Sequence, residues 1–467
     1  MPWMKELSDH FKQMRQQYPE DNLMIVFDID DTIVDVRIPL LYVLKKYDAI
    51  HDTRYFEHFT IDDIVFEEWK IQNWLKDGSP IDDPEEQQKV LKFVRDEMWQ
   101  DKTILLSHRP FHGVLEIIRW FQLQNNVEVG LNTGRSEELR EITLKSLNTL
   151  GREFRVEFSP DLLYMNPLPN EEGKDVTSYK ARGIKYFENK GYRVIAFIDN
   201  EPANLSAVSH ELEDDELMLL HADTMFTSSR ELRPEQAISG DQFEITEIID
   251  PDELPEHIEF VWNGVNSFDI LKKYKQSNVH WGEVDVRFNP LDQSIILKHG
   301  SFDGTSFNSQ GLITFQDMLQ ELKQLDRGIK IVMKEDDGLL DAVISVLEKE
   351  QVTNHLWFDI IFEIFDNEGL EKIKSHFPDA IISTRVDFLV PLLSQFPEFV
   401  EQIITELVKH NITVFSISLK TYNKDKFIQF IDEDMGYDIN IRDVYSFEQF
   451  LRASILLPKS IVSNFDY

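Results

Sequence analysis

The feature that most constrains this chain is an apolar run over residues 24–27 that leads directly into Asp28, Asp30 and Asp31. Four consecutive large apolar residues predict a buried β-strand. In an open α/β sheet, ligands bind beyond the carboxyl ends of the strands. Carboxylates this close together repel one another unless a cation or a shared proton offsets their charge. The sequence therefore predicts an α/β fold with a divalent-metal site after its first strand.

The residues Asp28, Asp30 and Thr32 form the pattern D-x-D-x-T, which resembles the first motif of the haloacid dehalogenase-like (HAD) phosphohydrolases. The resemblance implies that Asp28 is the nucleophile that attacks phosphorus and that Asp30 is the general acid/base. Carboxylate nucleophiles that form an aspartyl-phosphate are a known covalent strategy. The alternative is an acidic helix cap, because Asp and Thr are good N-caps and an apolar run follows over residues 33–44.

A second segment resembles the next motif of that family, a strand that ends in Thr or Ser. The strand predicted at residues 127–132 ends at Thr133, and Gly134 and Arg135 follow it. A hydroxyl and free backbone N–H groups at a strand-to-helix turn can hold a phosphate. The resemblance makes Thr133 a catalytic residue, and we expect Gly134 and Arg135 to contact the substrate. An ordinary capped turn is the alternative.

Two further residues complete the resemblance in the order that the family requires. It implies that Lys180 neutralises the charge of the phosphate and the nucleophile. It also implies that Asp199, after the strand at residues 194–198, binds Mg²⁺ with Asp28 and the backbone carbonyl of Asp30; Mg²⁺ favours such oxygen ligands. Asn200 departs from the family, where many members carry a second Asp. Taken singly, Lys180 is also compatible with a solvated helix and Asp199 with a turn.

The segment at about residues 36–108 is predicted to be mostly helical and is too long for a simple loop. By the resemblance, it is a cap that closes over the site and selects the substrate. A cap of this size usually accompanies small-molecule substrates, so we expect a small phosphorylated metabolite.

The composition limits the classes of partner. The chain carries 85 acidic and 48 basic residues, which gives a formal net charge of −37. Nucleic acids and anionic membranes select basic surfaces, so we expect neither as a partner. The sequence contains no run of about 18 apolar residues and no apolar signal segment near its start. The absence of cysteine excludes disulfides and suits a cytoplasmic protein.

A length of 467 residues implies two or three domains. We expect a Rossmann-like HAD phosphatase domain at residues 1–235 and an acidic, Pro-containing linker at 236–256. From residue 257 to 467, short apolar stretches alternate with helical ones. This β/α alternation predicts a parallel sheet, and a TIM-type (β/α)₈ barrel fits the number of repeats best.

The C-terminal half resembles the glycerophosphodiester phosphodiesterase-like superfamily and, within it, the menorin-type proteins. The matching stretches include VWNGVNSFDIL, GEVDVRF, ITFQDML and GIKIVMK. The resemblance implies a second site with Glu283 and Asp285 as ligands of a second divalent cation, and with His299 and Lys334 nearby. The Glu-x-Asp spacing places both carboxylates on one face of a strand. A polar network inside the barrel is the alternative interpretation.

The chain also departs from this superfamily at two positions. Asn263 stands where the first histidine is expected, and Val332 stands where an acidic third ligand is expected. We therefore expect that Glu335 or Asp359 restores the metal site, or that the barrel has lost catalysis and binds a ligand or a partner protein.

The function expected for the whole chain is Mg²⁺-dependent hydrolysis of a phosphate monoester. One alternative is a bifunctional protein whose barrel cleaves a glycerophosphodiester. The other is a non-catalytic barrel that serves as a binding module.

Overall fold

The structure, a computed structural model, describes residues 2–66, 70–166, 176–224, 233–250, 253–300, 312–335, 338–362 and 367–464. The chain divides into two compact units, Met1–Asp250 and Pro251–Tyr467. Within the described residues, every helix is too short or too polar to cross a membrane.

The first unit is built on a parallel sheet with the strand order β3-β2-β1-β4-β5-β6. Its strands are β1 (Asn22–Phe27), β2 (Val127–Ser136), β3 (Leu163–Asn166), β4 (Tyr192–Asp199), β5 (Met218–Ala222) and β6 (Ile238–Gly240). Its helices are α1 (Trp3–Gln17), α2 (Arg37–His51), α3 (Ile71–Asp77), α4 (Pro84–Glu97), α5 (Asp101–Ser107), α6 (Val114–Gln122), α7 (Arg140–Gly151), α8 (Val176–Asn189), α9 (Pro202–Leu212) and α10 (Ile245–Ile248).

Strand β1 lies in the middle of this sheet because its side chains are apolar on both faces. The five residues from Leu23 to Phe27 are completely buried, as expected of a parallel strand covered on both sides. Phe27 pairs with Leu131 on β2 and with Ile198 on β4. The residues that follow these three positions therefore meet at one edge of the sheet, where the parallel strands end.

The segment expected to form a helical cap contains α2 to α5 and has a hydrophobic core of its own. Buried residues from Val36 to Met98 form one cluster, and Trp99 packs against it. Such a cluster allows the segment to keep its shape independently of the sheet, because burial of apolar surface is the main stabilising contribution to folding.

The boundary between the two units differs from the expected linker at residues 236–256. Strand β6 extends the sheet of the first unit, and α10 packs against α1. Phe243 and Ile245 are buried, and the ring of Phe243 lies 5.0 Å from that of Trp3. The apolar residues between the acidic ones thus anchor this segment to the first unit, which extends to Asp250.

The second unit is a closed barrel, which confirms the predicted architecture. Its strands are β7 (Glu259–Trp262), β8 (Trp281–Phe288), β9 (Ile295–Leu297), β10 (Gly328–Met333), β11 (Leu356–Ile360), β12 (Ile381–Arg385), β13 (Val414–Ser418), β14 (Asp438–Val444) and β15 (Ser460–Ser463). Its helices are α11 (Phe268–Gln276), α12 (Phe315–Leu322), α13 (Leu339–Lys349), α14 (Asn367–His376), α15 (Val390–Leu393), α16 (Pro397–Lys409), α17 (Lys424–Gln429) and α18 (Phe447–Ser454). Eight parallel strands close the ring through the β8–β10 pair, and β9 is an antiparallel partner of β8.

Side chains fill the interior of the barrel. Apolar residues from five strands form one layer, which consists of Val261, Trp281, Trp357, Val414 and Val462. A polar layer lies two residues further along several of the same strands, as the period of two requires. There Asn440 donates to Ser416, with Nδ2 2.6 Å from Oγ. The barrel is therefore a packed core, as is usual for this architecture.

Candidate active site

The carboxyl ends of β1, β2 and β4 bring three of the predicted site residues together. Asp28 follows β1, and its backbone N–H donates to the carbonyl oxygen of Ile198 on β4 at 2.8 Å. Asp199 is the last residue of β4, and Thr133 lies in β2 beside Asn132. Asp28, Thr133 and Asp199 are all buried. The parallel register thus gathers residues that are more than 60 positions apart in the sequence.

Lys180 joins this group from helix α8 and is 2% exposed. Its Nζ lies 2.5 Å from Oδ1 of Asp28 and 2.9 Å from Oδ2 of Asp199. It also donates to the carbonyl oxygen of Asn132 at 2.8 Å, and the Asn132 side chain donates back to the Lys180 carbonyl at 2.8 Å. The structure therefore places Lys180 as a bridge between the predicted nucleophile and the predicted metal ligand.

One ammonium group shared by two carboxylates leaves part of the negative charge uncompensated. Burial raises the pKa of Asp28 to about 7, against the opposing attraction of Lys180, and the charges of Asp199 and Asp30 add to the rise. Burial lowers the pKa of Lys180, but the charges of Asp199 and Asp28 outweigh it, so the pKa is raised and the ammonium stays charged. This group of buried carboxylates can therefore accept further positive charge.

Asp30 is held by Arg135 in a bidentate ion pair. Nε and Nη2 of Arg135 donate to Oδ2 and Oδ1 of Asp30 at 2.9 and 2.6 Å, and Nη1 donates to Oγ1 of Thr143 at 3.1 Å. The Arg135 guanidinium also lies 5.1 Å from the ring centroid of Trp99. Such a planar, two-bond pair fixes both side chains. Arg135, which was expected to contact the substrate, is thus paired with Asp30, the expected general acid/base.

This ion pair determines the protonation of Asp30. Burial raises the pKa of Asp30, but the charge and hydrogen bonds of Arg135 outweigh burial and lower it. Asp30 is therefore ionised at neutral pH. It can accept a proton directly, whereas donation of a proton requires that it first be protonated. Arg135 thus determines the protonation state of Asp30.

Strand β2 continues past the expected turn at Thr133 and ends at Ser136. Its pairing with β3 is irregular between Thr133 and Ser136, and Gly134 is exposed there. Oγ1 of Thr133 accepts the backbone N–H of Arg135 at 3.2 Å. The strand therefore ends three residues later than expected. A 3-10 helix at Glu137–Leu139 follows Ser136 directly and leads into α7 at Arg140.

Asp199 is fully buried and well supplied with donors. Its Oδ1 accepts the backbone N–H of Glu201 at 2.8 Å, and Nδ2 of Asn204 lies 3.0 and 3.2 Å from its two oxygens. The carbonyl oxygen of Asn200, the position that departs from the family, lies 3.1 Å from Nε2 of His221. With Lys180 also bound, direct ligation of a metal by Asp199 requires one of these donors to give way.

Two further titratable residues at this edge, Asp31 and His108, were given no individual catalytic role from the sequence. Asp31 is buried with a left-handed backbone, φ 57°, and its carboxylate accepts the N–H of Val36 at 3.1 Å. Burial raises the pKa of Asp31 to about 8. Burial, followed by the charge of Arg135, lowers the pKa of His108 to about 4, and its Nδ1 lies 3.1 Å from Oγ of Ser146. Asp31 was detectable as the third acidic residue of the motif, whereas nothing in the sequence marks the surroundings of His108.

The residues at this edge fit Mg²⁺ in charge and in chemistry. Four carboxylates meet two cationic side chains; the carboxylates belong to Asp28, Asp30, Asp31 and Asp199, and the cations to Lys180 and Arg135. The remaining negative charge lies on oxygen atoms, which are the ligands that Mg²⁺ prefers. Within the described residues, no group of three or more acidic or histidine side chains forms a ready cage. Mg²⁺ does not require one, because it commonly keeps several waters and takes one or two carboxylates.

The second predicted site lies inside the barrel. Glu283 and Asp285 project from one face of β8 as expected, and both are buried. Lys330, which is 1% exposed, places Nζ 3.0 Å from Oε2 of Glu283 and 3.9 Å from Oδ2 of Asp359. Nζ of Lys334 lies 2.8 Å from Oδ1 of Asp285. Lysine ammonium groups thus lie beside these carboxylates, as Lys180 does beside Asp28 and Asp199.

The other residues expected at this second site lie elsewhere or make different contacts. β9 ends at Leu297, and the side chain of His299 beyond it is exposed. Glu335 accepts the backbone N–H of Phe288 at 2.5 Å and lies 3.8 Å from Arg287. Glu335 therefore does not restore a metal site, and the charge of Asp359 faces Lys330. Lys330 was missed from the sequence, although a charged residue inside the apolar strand GIKIVM signals a buried partner.

Comparison with solved structures finds low similarity to several proteins, which include glycerophosphodiester phosphodiesterases. The glycerophosphodiester phosphodiesterase from Thermotoga maritima is 15% identical, with 45% of this chain and 96% of that chain covered and a TM-score of 0.33. A glycerophosphodiester phosphodiesterase from Parabacteroides distasonis is 13% identical (44% and 93% covered, TM-score 0.35). A Clostridium difficile protein assigned as a phosphatase is 13% identical (49% and 99% covered, TM-score 0.34). Because every TM-score is below 0.5, we base no conclusion on these similarities.

Sequence comparison gives a more specific result for the first unit. No curated protein shows significant similarity to the chain. The family model of the HAD superfamily, subfamily IIIB (acid phosphatase), matches residues 43–225. This match includes Thr133, Arg135, Lys180 and Asp199. It begins after Asp28, which lies beside Lys180, and after Asp30, which pairs with Arg135. The first unit is therefore similar to the subfamily IIIB acid phosphatases of the HAD superfamily, and this similarity supports a phosphatase.

Proposed function

We propose that the first unit hydrolyses small phosphate monoesters with the help of Mg²⁺, through an aspartyl-phosphate formed on Asp28. The observation that carries the proposal is the position of Lys180, whose ammonium lies 2.5 Å from Asp28 and 2.9 Å from Asp199 at the carboxyl edge of the sheet. A buried carboxylate beside a buried cation is a suitable arrangement for a nucleophile that must attack an anionic phosphorus centre.

The first chemical step forms a bond between a carboxylate oxygen of Asp28 and phosphorus. The bond from phosphorus to the ester oxygen breaks. Asp30, which is ionised at rest, first takes up a proton from solvent or keeps the one gained in the preceding turnover, and it passes this proton to the leaving oxygen. Lys180 holds Asp28 in place and offsets negative charge as the phosphoryl group approaches. Thr133 positions the neighbouring irregular strand end, where the exposed Gly134 leaves room for a phosphate oxygen. Positioning and electrostatics of this kind supply most of the catalysis in phosphoryl transfer.

The second step regenerates the carboxylate. A water molecule gives a proton to Asp30, its oxygen attacks phosphorus, and the bond between phosphorus and Asp28 breaks to release inorganic phosphate. The ion pair with Arg135 keeps Asp30 ionised, which favours its action as a base in this step.

Asp28, the backbone carbonyl of Asp30 and Asp199 would hold Mg²⁺, which when bound supplies positive charge to the phosphoryl oxygens. The support for this cation is the group of carboxyl oxygens at the edge, where burial and then the charges of neighbouring carboxylates raise the pKa of Asp28 and of Asp31. The helical segment α2–α5 is the proposed cap, and its contact with the site through Trp99 and Arg135 gives it a route to influence the substrate.

The test is phosphatase turnover of an aryl phosphate by the full chain and by Asp28→Asn. Asp28→Asn keeps the size of the side chain but removes the nucleophile, so turnover should fall by at least about 10³-fold. Asp77→Asn, which changes an exposed aspartate on α3, is the matched control and should retain full activity. Full activity of Asp28→Asn, with folding verified by circular dichroism, would refute the proposal. Trapping of a phosphorylated Asp28 peptide by mass spectrometry would give independent support.

A further inference from the structure

The guanidinium group of Arg135 is bound by two elements of the first unit. Nε and Nη2 donate to the carboxylate oxygens of Asp30, and Nη1 donates to Oγ1 of Thr143 at 3.1 Å. The side chain of Arg135 is only 1% exposed, so water gives it little support. Among the described residues, Asp30 and Thr143 are its hydrogen-bond acceptors. Thr143 therefore supplies the anchor that lies outside the ion pair.

Asp30 depends on this ion pair for its orientation. Its side chain is 28% exposed, so packing alone does not hold it in place. Within the part of the chain that the structure describes, Arg135 is the hydrogen-bond partner of its carboxylate. A bidentate pair fixes the two groups relative to each other. The direction of the pair with respect to the sheet requires a further contact to a fixed element, because both side chains can rotate together.

Thr143 is suited to be that contact because of its place in the fold. It lies in the first turn of α7 and is completely buried, and α7 packs against α5. A β-branched side chain on a helix adopts few rotamers, so the direction of its hydroxyl group is restricted. Valine has nearly the same shape as threonine and would satisfy packing at this position. The hydroxyl of Thr143 is thus the feature that packing does not explain.

We propose that Thr143 is a positioning residue of the phosphatase reaction, whose bond to Arg135 directs the carboxyl group of Asp30 toward the oxygen of the leaving alcohol. The inference rests on the proposed function. Thr143 does not touch the substrate and acts through Arg135. The step that depends on it is the transfer of a proton from the Asp30 carboxyl group to the ester oxygen, as the bond from that oxygen to phosphorus breaks.

The nature of the leaving group makes this role measurable. An alkoxide departs only with a proton, whereas p-nitrophenolate is stable enough to depart without one. Loss of a well-directed general acid therefore slows the hydrolysis of alkyl phosphates selectively. A loss of structure at Thr143 would instead lower turnover of both kinds of ester to the same extent.

The test compares kcat/KM for glycerol phosphate and for p-nitrophenyl phosphate in the full wild-type chain and in Thr143→Val. This parameter reports the steps up to departure of the alcohol, so hydrolysis of the aspartyl-phosphate does not enter it. We expect kcat/KM to fall by at least about tenfold for glycerol phosphate and by less than about threefold for p-nitrophenyl phosphate. Because both values are measured on one preparation, their ratio does not depend on the folded fraction.

Two variants serve as controls. Thr143→Ser keeps the hydroxyl and should keep the ratio within about twofold of the wild-type ratio. Thr103→Val makes the same change at a buried threonine on α5 whose hydroxyl has no partner among the described residues, and it should leave the ratio unchanged. If Thr143→Val does not fold, Thr143→Ala removes the same hydroxyl and is judged by the same criterion.

A ratio that Thr143→Val leaves unchanged, in a wild-type chain that hydrolyses both esters, would overturn the positioning role alone. Wild-type turnover of p-nitrophenyl phosphate without turnover of glycerol phosphate would also overturn it, because no proton transfer to an alkyl oxygen would then take place. Absence of turnover of both esters by the wild-type chain would refute the proposed function, and the positioning role with it.

Discussion

Replacement of Lys180 by Met tests whether one ammonium group supports two buried carboxylates. The Lys180 Nζ lies 2.5 Å from Asp28 and 2.9 Å from Asp199, and all three side chains are buried. Loss of one partner from a buried ion pair usually costs about 3–5 kcal/mol, because the remaining charge is left uncompensated. We expect a loss of this size in the free energy of unfolding of the first unit at pH 8.

The cost should depend on pH. Burial raises the native pKa of Asp28 to about 7, so the native state holds an extra proton between about pH 4 and pH 7 and stability falls as the pH rises through that range. Without Lys180 the native pKa of Asp28 rises further, and stability continues to fall above pH 7. The difference between variant and wild type should therefore grow by about 1.4 kcal/mol per pH unit above pH 7.

Urea unfolding followed by hydrogen exchange of peptides from β1 and β4 reports on the first unit alone. Lys185→Met, at an exposed position on the same helix, is the control and should change the stability by less than about 0.5 kcal/mol. Asp28→Asn in the Lys180→Met background should recover part of the loss, since it removes one of the unpaired charges. A cost below about 1 kcal/mol, or a cost that does not change between pH 6 and pH 8, would refute the bridging role of Lys180.

Three further predictions concern other ion pairs. The Arg135→Lys variant cannot form the bidentate pair, so the pKa of Asp30 should rise. The pH–rate profile for hydrolysis of an alkyl phosphate should then move to higher pH by about one unit. An unchanged profile would contradict the role of Arg135 in lowering the pKa of Asp30. Asp31→Asn removes a carboxyl group whose pKa burial raises to about 8. The free energy of unfolding of this variant relative to wild type, measured by urea titration between pH 5 and pH 8, should therefore increase by about 1 kcal/mol per pH unit. A difference that stays constant with pH would contradict the raised pKa of Asp31. Lys330→Met should destabilise the barrel by about 3–5 kcal/mol in urea, and Glu283→Gln should restore part of that loss; additive effects would show that the pair is not coupled.

The meeting of Asp28 and Asp199 could be anticipated from short sequence patterns. Each of these two residues follows an apolar run at the end of a parallel strand, and parallel strands bring such ends to one edge. The pairing of Arg135 with Asp30 could not be anticipated in this way. It depends on the side-chain rotamer of Arg135 and on Thr143 one helix further along, and neither is visible in a linear pattern.

In the second unit too, the architecture could be predicted from the sequence, whereas the individual side-chain contacts could not. The alternation of apolar and helical stretches predicted the closed (β/α)₈ barrel, since that pattern follows from which faces must be buried. The contacts inside the barrel depend instead on register. Glu283 meets Lys330 because these two residues are directly paired across β8 and β10, and no sequence pattern specifies that pairing. Similarly, Phe243 in the expected linker was overlooked because the acidic residues around it dominate the composition.

The central position of β1 has a consequence for synthesis of the protein. Asp28 leaves the ribosome 152 residues before Lys180. At 5–20 residues per second, this interval lasts about 8–30 s. During that time the apolar strand before Asp28 has neither of its neighbours complete and exposes surface on which nascent chains can aggregate. The arrangement that buries Asp28 so well in the finished protein therefore leaves the strand before it exposed while the chain is being made.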